Sequence, residues 1–363
     1  MENSPQKIRL ARLQESLKEN ALDSVLITGP ENRRYYSGFT GSNGWLFITR
    51  TGAFIITDGR YLLQAPAEAP HFQMAATRPG EGKSLLTALK RVADENPGVK
   101  TIGFEAGVLP VDMYDDLRNT LPGVELVKSD PMIISPRMVK DEGEIQMVRQ
   151  AARIAGEAYL QELPRIAPGM TEREFAARLD FAVRMKGAQK EAFDTIIASG
   201  ENGACPHAQP SGRELKEGDA VTIDWGASLN GYNSDCTRTV FVGKPDPEMA
   251  RIYDVVFRAQ AKALEIAGPG LTAEEVDAAA RQVIEKAGYG EYFTHGLGHG
   301  IGLAVHEGPT LNRNQPTVLK PGMLVTIEPG IYVSGKGGVR IEDLILITGN
   351  GKEFLTDVPK TAL

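Results

Sequence analysis

The sequence predicts an α+β protein with a small α/β domain over residues 1–132 and a larger domain over residues 133–363. The larger domain is built from a duplicated unit whose halves are related by a pseudo-two-fold axis. Three observations lead there. At roughly 150 residues per domain, a chain of 363 residues holds two. Helical and strand patterns alternate up to about residue 130, where Pro131 and Pro136 interrupt them. Beyond that point long stretches of the chain repeat at a near-constant offset.

In the first domain ALDSVLITG reads as a strand, and WLFITRTGAFIIT as a hairpin turning at Arg50-Thr51-Gly52. Charged helical stretches and the short strands in KTIGF and VELVK follow. No chemistry-bearing cluster is evident in this domain, and its single histidine, His71, reads as a structural or surface residue. A long helix should begin near Asp141, with acidic residues in its first turn to favour the helix dipole.

The repeat starts at Pro168-Gly169-Met170-Thr171, where Thr171 and Glu174 have capping-box spacing. The pattern returns 101 residues later as Pro269-Gly270-Leu271-Thr272, with Thr272 and Glu275. Gly187 and Gly288 close the two helices at that same offset. LKEGDAVTIDWG, from Leu215 to Gly226, is then echoed by LKPGMLVTIEPG, from Leu319 to Gly330, at an offset of 104. A period this long excludes a solenoid and suits one closed domain.

Composition narrows the function classes. Apolar residues make up 42% and charged residues 24%, an ordinary globular balance. A net charge of −7 argues against a nucleic-acid or anionic-membrane surface. No stretch reaches the ~18 apolar residues of a membrane span, and the first twenty residues hold no apolar leader-like run. Cys205 and Cys236 lack metal-site or disulfide-framework spacing, so the expected compartment is a reducing cytoplasm.

Each repeat places acids at matching positions. In VTIDWG, Val221 and Ile223 face one way while Thr222 and Asp224 face the other. In VTIEPG, Glu328 takes the corresponding place beside Thr326. A second acid follows each: Asp235 after Asp224, and Glu342 after Glu328. Asn230-Gly231 is a strong two-residue hairpin signal, and such a turn sets Asp224 opposite Thr237. Asp224 and Asp235 are then diagonal neighbours, about 7–8 Å apart at the backbone. If the second hairpin lies alongside, four carboxylates converge, and their repulsion calls for divalent cations between them. Taken singly, a strand-end Asp, or a Glu before Pro-Gly, is ordinary structure. Recurrence in a duplicated unit is not.

The histidines agree. Four of the five, His207, His295, His299 and His306, lie in this half, three of them in HGLGHGIGLAVHEGP. The spacing of His295 and His299 resembles the helical H-E-x-x-H zinc motif, but the interleaved glycines oppose a helix and no Glu stands between them. Ile301 likewise breaks the G-x-G-x-x-G dinucleotide pattern.

With IDWGASLNGYNSDCTRT, HGLGHGIGLAVHEGP, VTIEPGIY and VRIED, the chain resembles the Xaa-Pro peptidases, the proline aminopeptidase and prolidase group of pita-bread metallopeptidases. The resemblance spans essentially the whole chain. It implies a pita-bread catalytic domain preceded by a creatinase-type N-terminal domain. It implies two divalent cations held by Asp224, Asp235, His299, Glu328 and Glu342, with Asp235 and Glu342 bridging. Accessory histidines fall on His207, His295 and His306, and substrate-side or supporting groups on Arg340 and Tyr332. Glu328 relays a proton in that scheme, while His295 and His306 donate to developing charge. The hard ligand set favours manganese, with cobalt, iron or zinc as substitutes.

The expected substrates are short proline-containing peptides cut before proline, and relatives imply a homodimer. Dipeptidase and aminopeptidase activity stay equally open. Methionyl aminopeptidases share the five ligands but generally lack the N-terminal domain. A non-catalytic pita-bread binding protein is the alternative of a different class, and such proteins lack some of the ligands.

Overall fold

The computed structural model describes residues 4–78 and 85–360, and it divides into two compact units, Met1–Arg137 and Met138–Leu363. The first unit is a six-stranded mixed sheet. Its spatial order is Gln73–Ala76, Ala53–Thr57, Trp45–Thr49, Ser24–Ile27, Thr101–Phe104, Glu125–Lys128. The Trp45–Thr49 and Ala53–Thr57 strands form the expected hairpin, closed by Thr49 N–H donating to Gly52 O at 2.8 Å. The outer strands pair in parallel, as strands linked by helices do. Residues 133–137 pack with this unit: Tyr36 donates its hydroxyl to Ile133 O, and Arg137 donates to Asn32 Oδ1, both at 2.8 Å.

The second unit displays the duplication in its hydrogen bonds. Thr171 bridges Glu214, and Thr272 bridges Val318 in the same antiparallel manner. Gly169 N–H donates to Leu215 O at 2.9 Å, and Gly270 N–H to Leu319 O at 2.9 Å. Glu172 and Arg173 donate to Arg213 and Ser211 carbonyls, and Ala273 and Glu274 donate to those of Thr317 and Gln315. In both halves a turn with a left-handed glycine leads into a Thr-capped helix pinned to the strand-bearing segment. Thr272 and Glu275 form a full capping box. At Thr171 only half of one forms, because the Glu174 carboxylate pairs with Arg178 one turn on instead of returning to the cap.

Each half buries its own core beneath a helix pair. Glu142–Glu162 and Glu172–Met185 cover Val221, Ile223 and Trp225, all fully buried. Trp225 stacks on Tyr159 at 4.3 Å and donates its indole N–H to Ala155 O at 2.9 Å, so the large ring is both packed and satisfied. Pro247–Ile266 and Ala273–Lys286 cover Val325, Ile327 and Ile345. The Glu142–Glu162 helix starts at a capping box of Asp141 and Glu144. Among the described residues no helix is long and apolar enough to cross a membrane.

Candidate metal centre

Every acid of the expected cluster sits where a strand begins or ends. Ala220–Trp225 and Cys236–Phe241 pair antiparallel, with Asp224 opposite Thr237 and Trp225 opposite Cys236. Asn230 and Gly231 both adopt positive φ, 48° and 72°, as the two central residues of a type I′ turn require. Apolar Val221 and Ile223 enter the core, and Asp224 takes the opposite face. Asp235 immediately precedes the second strand. In the other half, Leu324–Ile327 ends just before Glu328, and Glu342 joins Gly337–Arg340 to Asp343–Thr348.

The glycines around His299 allow close backbone approach rather than a helix. His299 lies within the strand Gly298–Gly300. A Cβ at position 298 would stand 2.1 Å from Thr326 O, so only glycine permits this strand to lie against Leu324–Ile327. His299 N–H then donates to Thr326 Oγ1 at 3.0 Å, and the same threonine hydroxyl donates to Glu328 Oε1 at 3.0 Å. His299 Nε2 reaches Glu328 Oε1 at 3.2 Å and Asp235 Oδ2 at 3.6 Å.

Ligand-capable atoms of Asp235, His299 and Glu342 lie within 4.8 Å of one another. Asp235 and Glu342 are 6% and 1% exposed, so this is a buried concentration of negative charge. Burial, then the neighbouring Glu342, Asp224 and Glu328 charges, push the Asp235 carboxyl well above its usual range. Glu342 is pushed up by burial and by Glu328 and Asp224. Burial also opposes charge on Glu328, but the His299 hydrogen bond and the His299, His295 and Arg340 charges outweigh it and hold its carboxyl at about 2. Burial opposes a proton on His299, which the Glu328 carboxylate overcomes, raising the imidazole.

Cations fit this site on an independent observation. Asp224 Oδ1, Asp235 Oδ1 and Glu342 Oε1 are buried without a hydrogen-bond partner, one oxygen on each of three neighbouring acids. Buried polar atoms are nearly always partnered, so three such oxygens together mark a place for positive charge. The remaining oxygens are held in place. Thr237 Oγ1 donates to Glu342 Oε2 at 2.7 Å, and Arg340 donates to Asp224 Oδ2 at 2.7 Å.

Arg340, 4% exposed, also donates to Tyr332 Oη at 2.9 Å, to Thr237 Oγ1 at 3.1 Å and to Pro206 O at 3.2 Å. His295 Nε2 lies 2.9 Å from Tyr332 Oη, and its Nδ1 lies 2.7 Å from Gly296 O. Because Nδ1 must carry a proton to meet a carbonyl, Nε2 of the neutral ring accepts from Tyr332. Burial favours that neutral form. His306 is exposed, with its ring 4.3 Å from that of His299. His207 is exposed in the loop after Pro206.

All ten expected residues except Tyr332 line one cavity of about 560 Å³, and Tyr332 stands behind its wall. Apolar side chains that the sequence pattern did not single out, Phe193, Ile196, Pro210 and Val305, line the same cavity. Thr237 and Thr326, which hold the acids, were also missed. Their signal was present, since both alternate with core residues on the strand face that carries the acids.

Comparison with known proteins identifies the family. The pattern of metallopeptidase family M24 matches residues 146–349, and the creatinase/prolidase N-terminal domain matches residues 9–139. The chain belongs to metallopeptidase family M24. It is 41% identical to the Xaa-Pro dipeptidase of Pyrococcus furiosus, over 98% of this chain and 100% of that one. The solved Xaa-Pro dipeptidase from Bacillus anthracis superimposes with a TM-score of 0.94 at 38% identity, covering 99% of both chains. The X-Pro aminopeptidase from Thermotoga maritima superimposes with a TM-score of 0.89 at 36% identity, covering 98% of this chain and 99% of that one. The fold is therefore the pita-bread domain behind a creatinase-type N-terminal domain, and the family implies divalent metal ions.

Proposed function

We propose that this protein is an Xaa-Pro peptidase that hydrolyses the bond before proline at the amino terminus of short peptides. The observation that carries the reading is the buried acid cluster with three unpartnered carboxylate oxygens, in a chain alike over its full length to Xaa-Pro dipeptidases. Asp224, Asp235, His299, Glu328 and Glu342 would hold two divalent cations. Manganese suits so many carboxylate ligands. When bound, the pair supplies activated water and Lewis-acid polarisation of the scissile carbonyl.

The chain's own residues divide the rest of the work. Thr237, Thr326 and Arg340 fix the rotamers of Glu342, Glu328 and Asp224. Glu328 takes a proton from the attacking water and delivers it to the proline nitrogen as the C–N bond breaks. That nitrogen leaves as a secondary amine and must gain a proton to do so. His295 engages Tyr332 and Gly296, so donation to charge developing on the carbonyl oxygen falls to His306, with exposed His207 at the cavity rim. Phe193, Ile196 and Val305 offer apolar walls for the pyrrolidine ring.

The reading extends to a homodimer in a reducing cytoplasm, consistent with the two free cysteines. Ala-Pro, Ala-Pro-Ala and Met-Ala-Ser, assayed with manganese-loaded protein, test the substrate class. Cleavage of either proline peptide well above Met-Ala-Ser is expected and tells dipeptidase from aminopeptidase. Preference for Met-Ala-Ser replaces the reading with a methionyl aminopeptidase, and no hydrolysis of any peptide removes it.

A further inference from the structure

We propose that the buried ion pair of Lys140 and Glu307 positions His306 in the cavity, making both of them positioning residues for the hydrolysis proposed above. Lys140 Nζ stands 2.8 Å from Glu307 Oε1, with the side chains 1% and 5% exposed. Neither lines the cavity, and Lys140 lies far from the acids in sequence, just ahead of the Glu142–Glu162 helix. Removing two charges from water is expensive, so a pair buried this deeply is weak evidence of stabilisation and invites another explanation.

His306 supplies it. Among the described residues none hydrogen-bonds to its ring, and its one ring contact is with His299. A side chain without anchors of its own goes where its backbone sends it. That backbone is tied down on both sides. Asn233 donates from its main chain to Gly302 O at 2.9 Å, and from its side chain to Gly302 O and Leu303 O, each at 3.1 Å. At the other end, Ala304 N–H donates to Glu307 Oε2 at 3.3 Å while Lys140 holds Oε1. The loop therefore closes onto the Glu307 carboxylate. A Cβ at position 302 would stand 2.6 Å from Glu307 Oε1 and 3.1 Å from Lys140 Cε, so the glycine lets the loop lie flat on the ion pair. His306 immediately precedes the strand Glu307–Leu311 and lines the cavity. Holding the Glu307 carboxylate on Lys140 fixes the backbone that presents the His306 ring there.

The test is a set of variants in the manganese-loaded protein: Lys140→Met, Lys140→Arg, His306→Ala, and Lys140→Met combined with His306→Ala. Lys140→Met should lower kcat on the order of 10²-fold, the usual consequence of misplacing a group by about 1 Å. Its metal content and KM should change little, and Lys140→Arg should restore much of the rate. Because Lys140 acts through His306, the double variant should be no slower than His306→Ala alone. Losses that multiply in the double variant, or a normal kcat in Lys140→Met, overturn the proposal. Should Lys140→Met not fold, Glu307→Gln is read in the same way. A second readout is the ¹⁵N imidazole resonance of His306 in zinc-loaded protein, which should move in Lys140→Met while that of His71 stays put. An unmoved His306 resonance overturns the inference even if the protein cleaves no proline peptide, so its failure is separable from that of the functional reading.

Discussion

Arg238 donates through Nη2 to Asp343 Oδ1 at 2.9 Å, with each side chain only 2% exposed. The guanidinium lies behind the acid cluster and uses its remaining N–H groups on backbone carbonyls. It donates to Thr237 O on the strand opposite Asp224, to Glu342 O in the link between two strands, and to Val358 O and Pro359 O in the C-terminal segment. Lys360 Nζ also pairs with Asp343 Oδ2. The backbone at Glu342 is thus tied to the chain terminus by one buried cation.

Replacing Arg238 with Met should cost about 3 kcal/mol of unfolding free energy, the low end for breaking a buried pair, since Lys360 still faces Asp343. Loosening Glu342 should also weaken manganese binding. Urea denaturation and calorimetric metal titration check both. Stability and affinity both equal to the parent would show that the Arg238 hub does not hold the site.

Removing divalent metal leaves the clustered carboxylates uncompensated, so the metal-free protein should melt at lower temperature than the loaded one. At a free metal concentration 100-fold above Kd, binding should add about 2.7 kcal/mol. Differential scanning calorimetry of chelated protein against added Mn²⁺ reads this directly. A melting temperature indifferent to metal, together with full activity after chelation, would falsify the metal reading.

His299 and His306 should separate ligand from donor. His299→Ala is expected to lose metal affinity as well as rate. His306→Ala should keep its metal and lose kcat by about 10²–10³, as removal of an oxyanion donor does, with a smaller change in KM. Elemental analysis beside steady-state kinetics distinguishes the two. Normal turnover of His306→Ala, or metal loss matching that of His299→Ala, means the division of roles is wrong.

Glu172, wholly buried, accepts hydrogen bonds from the backbone N–H and hydroxyl of both Ser199 and Ser211, and from Asn202. Burial works against its charged form, but those bonds prevail and lower its pKa below the usual 4.5. A carboxylate whose pKa is lowered by folding stabilises fully above its unfolded value and loses that contribution as pH falls through the folded one. Glu172→Gln should therefore cost about 1–3 kcal/mol near neutrality. The gap from the parent should narrow below about pH 4.5. Denaturation curves at several pH values measure it, and a gap that stays constant into acid contradicts the assignment.

The architecture was legible because duplication and periodicity are local facts written along the chain. The Thr-capped helices, the Asn230-Gly231 turn, the register setting Asp224 against Thr237, and the inward Val221 and Ile223 all follow from spacing alone. The four candidate acids could be picked out because acids recur at matching places in the two copies, whereas His299 was singled out among the histidines only by the family resemblance. The reading of Thr171 as a full capping box failed because Arg178, one turn away, competes for Glu174.

What the sequence alone determined was therefore the two-part organisation, the repeat, and which residue types face one another across each hairpin. Only the tertiary structure decided which carboxylate oxygens go unpartnered, that His295 turns to Tyr332 and Gly296, that Arg238 joins Glu342 O to the C-terminal segment, and that Lys140 pairs with Glu307. The reason is physical. Hairpin register and helix capping depend on neighbours a few residues apart, which spacing records. A buried charge takes its partner from whatever the folded chain brings within about 3 Å, and Lys140 meets Glu307 across 167 residues that no local pattern spans.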